Sequence, residues 1–109
     1  MKAIKKVEWL GDSKIILSNF PIETKSSIGF QLNVLQKGEI PIRSRPMKSI
    51  GPSVFELKEQ DEAGWYRVVY TLQIKGHIYV LHAFTKKSSK TSKVDLDVAK
   101  LRLKQLRRL

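Results

Sequence analysis

"SVFELKEQDEAGWYRVVYTLQIKGHIYVLHAFT", residues 53–85, decides how this chain folds. Within it, three runs rich in valine, tyrosine and phenylalanine ("SVFELKE", "WYRVVYTL" and "HIYVLHAFT") are parted by the turn signals "QDEAG" and "IKG". Aromatic and β-branched residues suit a pleated, half-buried surface, and so short a spacing makes the runs neighbours in an antiparallel meander. Side chains alternate across a strand. One set therefore holds Phe55 and Leu57, then Tyr66, Val68, Tyr70 and Leu72, then Tyr79, Leu81 and Ala83, and reads as a core face. The other set holds Val54, Glu56 and Lys58, then Trp65, Arg67, Val69 and Thr71, then Ile78, Val80, His82 and Phe84, with Lys86 next in step.

Upstream, "KAIKKVEWLG" alternates loosely enough for a first strand ended by Gly11. Asp12 is placed to cap a short helix through Ile15, Ile16 and Leu17, and "NFP" breaks it before a second helix opening at Pro21. Ile22, Ile28, Leu32 and Leu35 form that helix's apolar stripe, and Gly38 suits its C-terminal end. "GEIPIRSRPMKSIGP", with its prolines, reads as a connection to the sheet. Downstream, Ser92 and Asp95 have capping-box spacing, and Leu96, Ala99, Leu103 and Leu106 step along one face of a terminal helix whose other face carries Lys100, Lys104 and Arg107. The expected order is β-α-α-β-β-β-α in one domain spanning residues 1–109. The fold class is α+β: a small, mostly antiparallel sheet with helices on one face and the opposite face left partly bare.

The 109 residues carry a formal charge of +11, unevenly spread: net +5 over residues 1–52, −1 over 53–85 and +7 over 86–109. A field of that sign attracts polyanions, among which nucleic acid is the most abundant. There are no cysteines, which excludes disulfide staples and thiolate metal sites. With no signal peptide and no run approaching the ~20 apolar residues of a membrane span, the expected location is cytoplasmic and no membrane partner is expected.

The bare face would carry Glu56, Lys58, Arg67 and His82 beside the aromatic rings of Trp65 and Phe84, continued by Lys86, Lys87 and Lys90 in "HAFTKKSSKTSK". Cations grip phosphate oxygens while rings stack on unpaired bases, so the set reads as an RNA-binding floor. The plainer reading is a surface pairing of Glu56 with Arg67 or Lys58 across strands. No P-loop, dinucleotide fingerprint, paired-histidine metal motif or nucleophile elbow occurs, and with two histidines neither metal nor cofactor is expected. The remaining chemistry is metal-free cleavage of RNA, in which a 2′-hydroxyl attacks the neighbouring phosphate. Glu56 or His82 would take its proton. Arg67, Lys58 and Lys86 would hold the developing charge, and a lysine or His82 would protonate the leaving oxygen. Arg67→Ala is then expected to abolish activity and leave the fold intact.

The run "VFELKEQDEAGWYRVVYTLQIKGHIYVLHAFTKKSSKT", followed by "DLDVAKLRLKQL", resembles the phage-related branch of the RelE/HigB toxin superfamily, as does "FPIETKSSIGFQLNVLQKGE" at the paired helices. The resemblance implies a RelE-like fold and the toxin of a type II toxin–antitoxin pair that cuts mRNA on the ribosome. Its partner would be a small antitoxin, often of helix-turn-helix type. By the matched motif, Arg67 stands where the family's strand arginine meets the scissile phosphate, Lys58 where a strand lysine stands, and Lys86 and Lys87 at the basic end of the last strand. The chain departs from the pattern in lacking a tyrosine after Tyr79 and in having "KTS" where many relatives have threonine-proline. The alternative on the same scaffold is a ParE-like inhibitor that acts on DNA gyrase through protein contacts.

Overall fold

The structure is a computed structural model that describes residues 4–72, 76–88 and 90–108. The elements run β1 (Val7–Trp9), α1 (Ser13–Ser18), α2 (Ile22–Gln36), β2 (Ser44–Pro46), β3 (Val54–Asp61), β4 (Gly64–Thr71), β5 (Ile78–Lys86) and α3 (Lys93–Arg107). The "IKG" turn, except Gly76, and the start of the first strand's "KAIKK" run lie outside the described residues. One element is new: β2, inside the proline-containing connection, pairs antiparallel with β3.

The five strands lie in the order β1-β5-β4-β3-β2, antiparallel except for β1, which runs parallel to β5. The α+β class and the β3–β4–β5 meander are those expected from the alternation. One layer contains α1 and α2: Leu17, Phe20, Ile28, Leu32 and Leu35 pack on Leu57, Tyr66, Val68, Tyr70, Ile78, Val80 and Ala83. Ile22, expected in the stripe of α2, is exposed, and Thr24 and Gln31 are buried instead.

The layering differs from the expectation at α3. It does not join the other helices on one face but covers part of the opposite face, where Ala99, Leu103 and Leu106 pack on Val54, Val69, Leu81 and Phe84. The physical reason is the apolar content of that face. Four large hydrophobic side chains would otherwise face water, and at about 25 cal/mol per Å² of apolar surface an amphipathic helix is their natural cover.

The alternation in β5 is also broken. Val69 of β4 pairs with His82 but Tyr70 pairs with Val80, so Leu81 is an extra residue in a β-bulge. Ile78 and Val80 thus face α1 and α2 together with Ala83, whereas Leu81, His82 and Phe84 all face the α3 side. Unbroken alternation instead puts Ile78 and Val80 in the other set and Tyr79 and Leu81 in the core set with Ala83; the bulge moves Tyr79 and Leu81 to the α3 side.

Candidate basic face and its polar network

A cap starts α3 and an arginine anchors it over the sheet. Ser92 caps the helix, its Oγ accepting from the Asp95 N–H at 3.2 Å and donating to Asp95 Oδ2 at 2.7 Å. Farther along, Arg102 donates to Leu81 O at 3.0 Å and to Asp12 Oδ1 at 2.9 Å, joining α3 to β5 and to the turn before α1. Asp12 therefore makes no side-chain cap on α1. Its carboxyl is held below the ordinary range chiefly by the Arg102 hydrogen bond. The fit is close at Gly11: its φ is +54°, and a Cβ there would stand 2.4 Å from Arg102 Cζ.

Rows of cross-strand neighbours place the expected site residues on the α3 side of the sheet. Glu56, Val69 and His82 form one row, Lys58, Arg67 and Phe84 the next, and Gln60, Trp65 and Lys86 the row at the sheet end. The fold brings all these residues together on one face, but that face is not a solvent-filled hollow. Arg67 is only 2% exposed, and Glu56, His82 and Phe84 are buried with it. α3 and its lead-in cover these residues: the Thr91 hydroxyl oxygen accepts from Arg67 Nη1, Asp95 and Arg102 meet His82, and the apolar stripe of α3 packs in one cluster with Phe84.

Arg67 Nη1 also lies 3.3 Å from Glu56 Oε2, so the pairing of Glu56 with Arg67 is real but buried rather than superficial. The guanidinium is incompletely satisfied: Nε and Nη2 are buried and have no hydrogen-bond partner. Each such donor costs about 1–3 kcal/mol, so two of them unpaired call for an acceptor, and a catalytic role is one way to supply it.

His82 presents no free nitrogen. Its Nε2 lies 2.9 Å from Asp95 Oδ1 and its Nδ1 lies 3.4 Å from Arg102 Nη1, while its ring stacks on Phe84 at 4.8 Å. Asp95 also takes the Lys86 ammonium at 2.9 Å. Burial raises the Asp95 carboxyl, but the hydrogen bonds from Lys86, His82 and Ser92 outweigh it and leave the group below the ordinary range. The groups open to solvent are Lys87 and Lys90, with Lys58, Trp65 and Lys86 half-buried at the sheet end. Lys58 Nζ sits 5.0 Å from the centre of the Trp65 ring.

Three contributors escaped the reading of residues as a site: Thr91, Asp95 and Arg102. Asp95 was visible only as half of a capping box. Arg102 did leave a trace, since it falls three residues after Ala99 and one before Leu103, at the margin of the apolar stripe, where a charged side chain must find partners.

Among the described residues, no helix is long and apolar enough to cross a membrane. No curated protein matches the chain. The family described as phage derived protein Gp49-like (DUF891) matches residues 16–104, a span that runs from α1 into the last turns of α3 and takes in every residue of the basic face. The chain therefore belongs to the Gp49-like, phage-derived protein family.

Proposed function

We propose that the chain is the toxin of a type II toxin–antitoxin pair and acts as a metal-independent endoribonuclease on translated mRNA, held in check by a small antitoxin. The observation that carries this reading is Arg67: a buried guanidinium with two unsatisfied N–H-bearing nitrogens, paired to a carboxylate, with Lys58 as its cross-strand partner and Lys86 in the next row. A phosphodiester would supply the acceptors that Nε and Nη2 lack. Family membership and the resemblance of residues 54–91 to RelE/HigB toxins support the same reading.

In the reaction the 2′-oxygen attacks the adjacent phosphorus and the bond from phosphorus to the 5′-oxygen breaks, leaving a 2′,3′-cyclic phosphate and a 5′-hydroxyl. Glu56, beside Arg67, takes the proton of the 2′-hydroxyl. Arg67 and Lys58 hold the charge that develops on the phosphoryl oxygens, and Lys86 protonates the leaving 5′-oxygen. His82, with both nitrogens engaged, is left the task of positioning Asp95 and Lys86. For the phosphate to reach Arg67, the Thr91 hydroxyl must yield its place on Nη1.

The test is purified protein added to a defined message on translating ribosomes in magnesium buffer, with the fragment ends mapped. Cleavage with cyclic-phosphate ends is the expected result, and messages that stay intact while induced cells stop growing would overturn it. One observation favours the second reading, inhibition of gyrase by protein contacts. Phe30, Ile40 and Ile42 line a groove of about 540 Å³ beside α2, and Ile42 is 95% exposed. A supercoiling assay separates the two.

A further inference from the structure

We infer that Trp65 and the Gly64 turn beside it form a base-stacking subsite for single-stranded RNA, next to the phosphate contacts of the basic face. The inference rests on the nuclease reading and names where a flanking nucleotide sits. Two aromatic rings share this side of the sheet, and their surroundings differ. Phe84 is buried and already stacked on His82, so no base can reach it. Trp65 is half-buried and lines an open groove of about 400 Å³ with Gly64, Thr85, Lys86 and Lys87, within the range of about 300–1,000 Å³ common to small-molecule sites.

The groove exists because the hairpin turn closes tightly on the end of β5. Gly64 has φ +148°, and a Cβ built there would stand 2.6 Å from the Lys86 carbonyl oxygen. Gly64 has no side chain and Ala63 only a methyl, so the rings lining the groove are those of Trp65 and Tyr66; Tyr66 is buried, edge-packed on Phe20 and hydrogen-bonded to Asp61, which leaves the half-buried indole for stacking. Its cross-strand partner is Lys86, and Lys87 lines the same space. Lys58 covers the indole from the β3 side at 5.0 Å. The result is a planar ring between cations, which suits a base stacked on the ring with its flanking phosphates on Lys86 and Lys87. Stacking uses the π-face that every base has, so the subsite selects unpaired nucleotides over duplex and tolerates any base.

The probe is a fluorescein-labelled RNA octamer with 2′-O-methyl riboses, which cannot be cut, read by anisotropy. A second octamer carries the same phosphates but is abasic at its central positions. Trp65→Ala is expected to weaken binding of the first by about 5- to 150-fold, the equivalent of one base–aromatic stack. Trp65→Phe should restore part of the loss, and the abasic octamer should bind wild type and Trp65→Ala alike. Melting curves verify that each variant is folded. Equal affinities of wild type and Trp65→Ala for the first octamer would overturn the subsite and leave the nuclease reading standing. So would an equal loss on both octamers. A wild-type protein that binds neither octamer would also overturn the subsite, whereas the nuclease reading is overturned only by messages that stay intact on ribosomes.

Discussion

Replacing Arg67 with alanine is the obvious test of the nuclease reading, and the structure says that it will mislead. The expectation from strand alternation is an intact fold. With the guanidinium 2% exposed and 3.3 Å from a buried carboxylate, its removal leaves Glu56 without its counter-charge in a site closed by Thr91. Breaking a buried pair by removing one partner costs about 3–5 kcal/mol. Against this, Arg67→Ala also removes the unsatisfied Nε and Nη2, each worth about 1–3 kcal/mol. With the broken pair at the middle of its range, about 4 kcal/mol, and each relieved nitrogen at the low end of its range, about 1 kcal/mol, the net destabilisation is about 2 kcal/mol. At a slope of about 1–3 kcal/mol/M, the urea midpoint falls by roughly 1 M. The double variant Glu56→Leu with Arg67→Met replaces both charges by apolar groups of similar volume and should unfold at or above the wild-type midpoint. An Arg67→Ala midpoint within experimental error of wild type, or a double variant weaker than the single, would refute the buried pair. Loss of activity means loss of chemistry only in the stably folded double variant.

Leu103→Ala on the buried stripe of α3 should cost about 2–5 kcal/mol in urea unfolding, whereas the exposed Leu101→Ala should cost under about 1; equal effects would contradict the second helical layer. Because the folded Asp95 carboxyl titrates below its unfolded value, its contribution is present above the ordinary carboxylate pKa of about 3.9 and is lost as pH falls through the folded value, so Asp95→Asn should flatten the acid limb of a stability–pH curve. Gly64→Ala, with φ +148° and a Cβ 2.6 Å from Lys86 O, should lower stability by about 1–3 kcal/mol in thermal melts. Lys87→Ala and Lys90→Ala should each reduce the slope of log affinity against log salt for an RNA oligomer by about 0.7, with little change in melting temperature.

The sheet was legible because it is written in period two: Phe55, Leu57, Tyr66, Val68 and Tyr70 lie on the face assigned to them. So was the cap of α3, where Ser92 meets Asp95 at the expected spacing. The bulge was not, since nothing in "YVLHAF" marks Leu81 as the residue to be skipped; no glycine or proline stands there, and the choice is made by packing on both sides of β5. Nor was the side chosen by α3. By plain alternation the second face already holds Val54, Val69, Ile78, Val80 and Phe84, enough apolar surface to need a cover, but Glu56, Lys58, Arg67 and His82 in the same rows make it read as a bare basic face with Arg67 solvent-facing. The grouping of Glu56, Lys58, Arg67, His82 and Lys86 was readable because all lie after the bulge or on strands without one.

The spare residue at Leu81 also makes β5 unusually forgiving at one point and brittle elsewhere. Excising Leu81 would join Val80 to His82 with both still aimed as they are now, at the expense of one buried leucyl group. A one-residue excision elsewhere in the strand would keep every side chain aimed as now only by drawing on that slack, and a second excision, with nothing left to absorb it, would turn part of the strand inside out. Changes of chain length in this strand therefore preserve the aim of its side chains at a single address, and it lies beside the hydrogen-bonded histidine, away from the lysines at the far end.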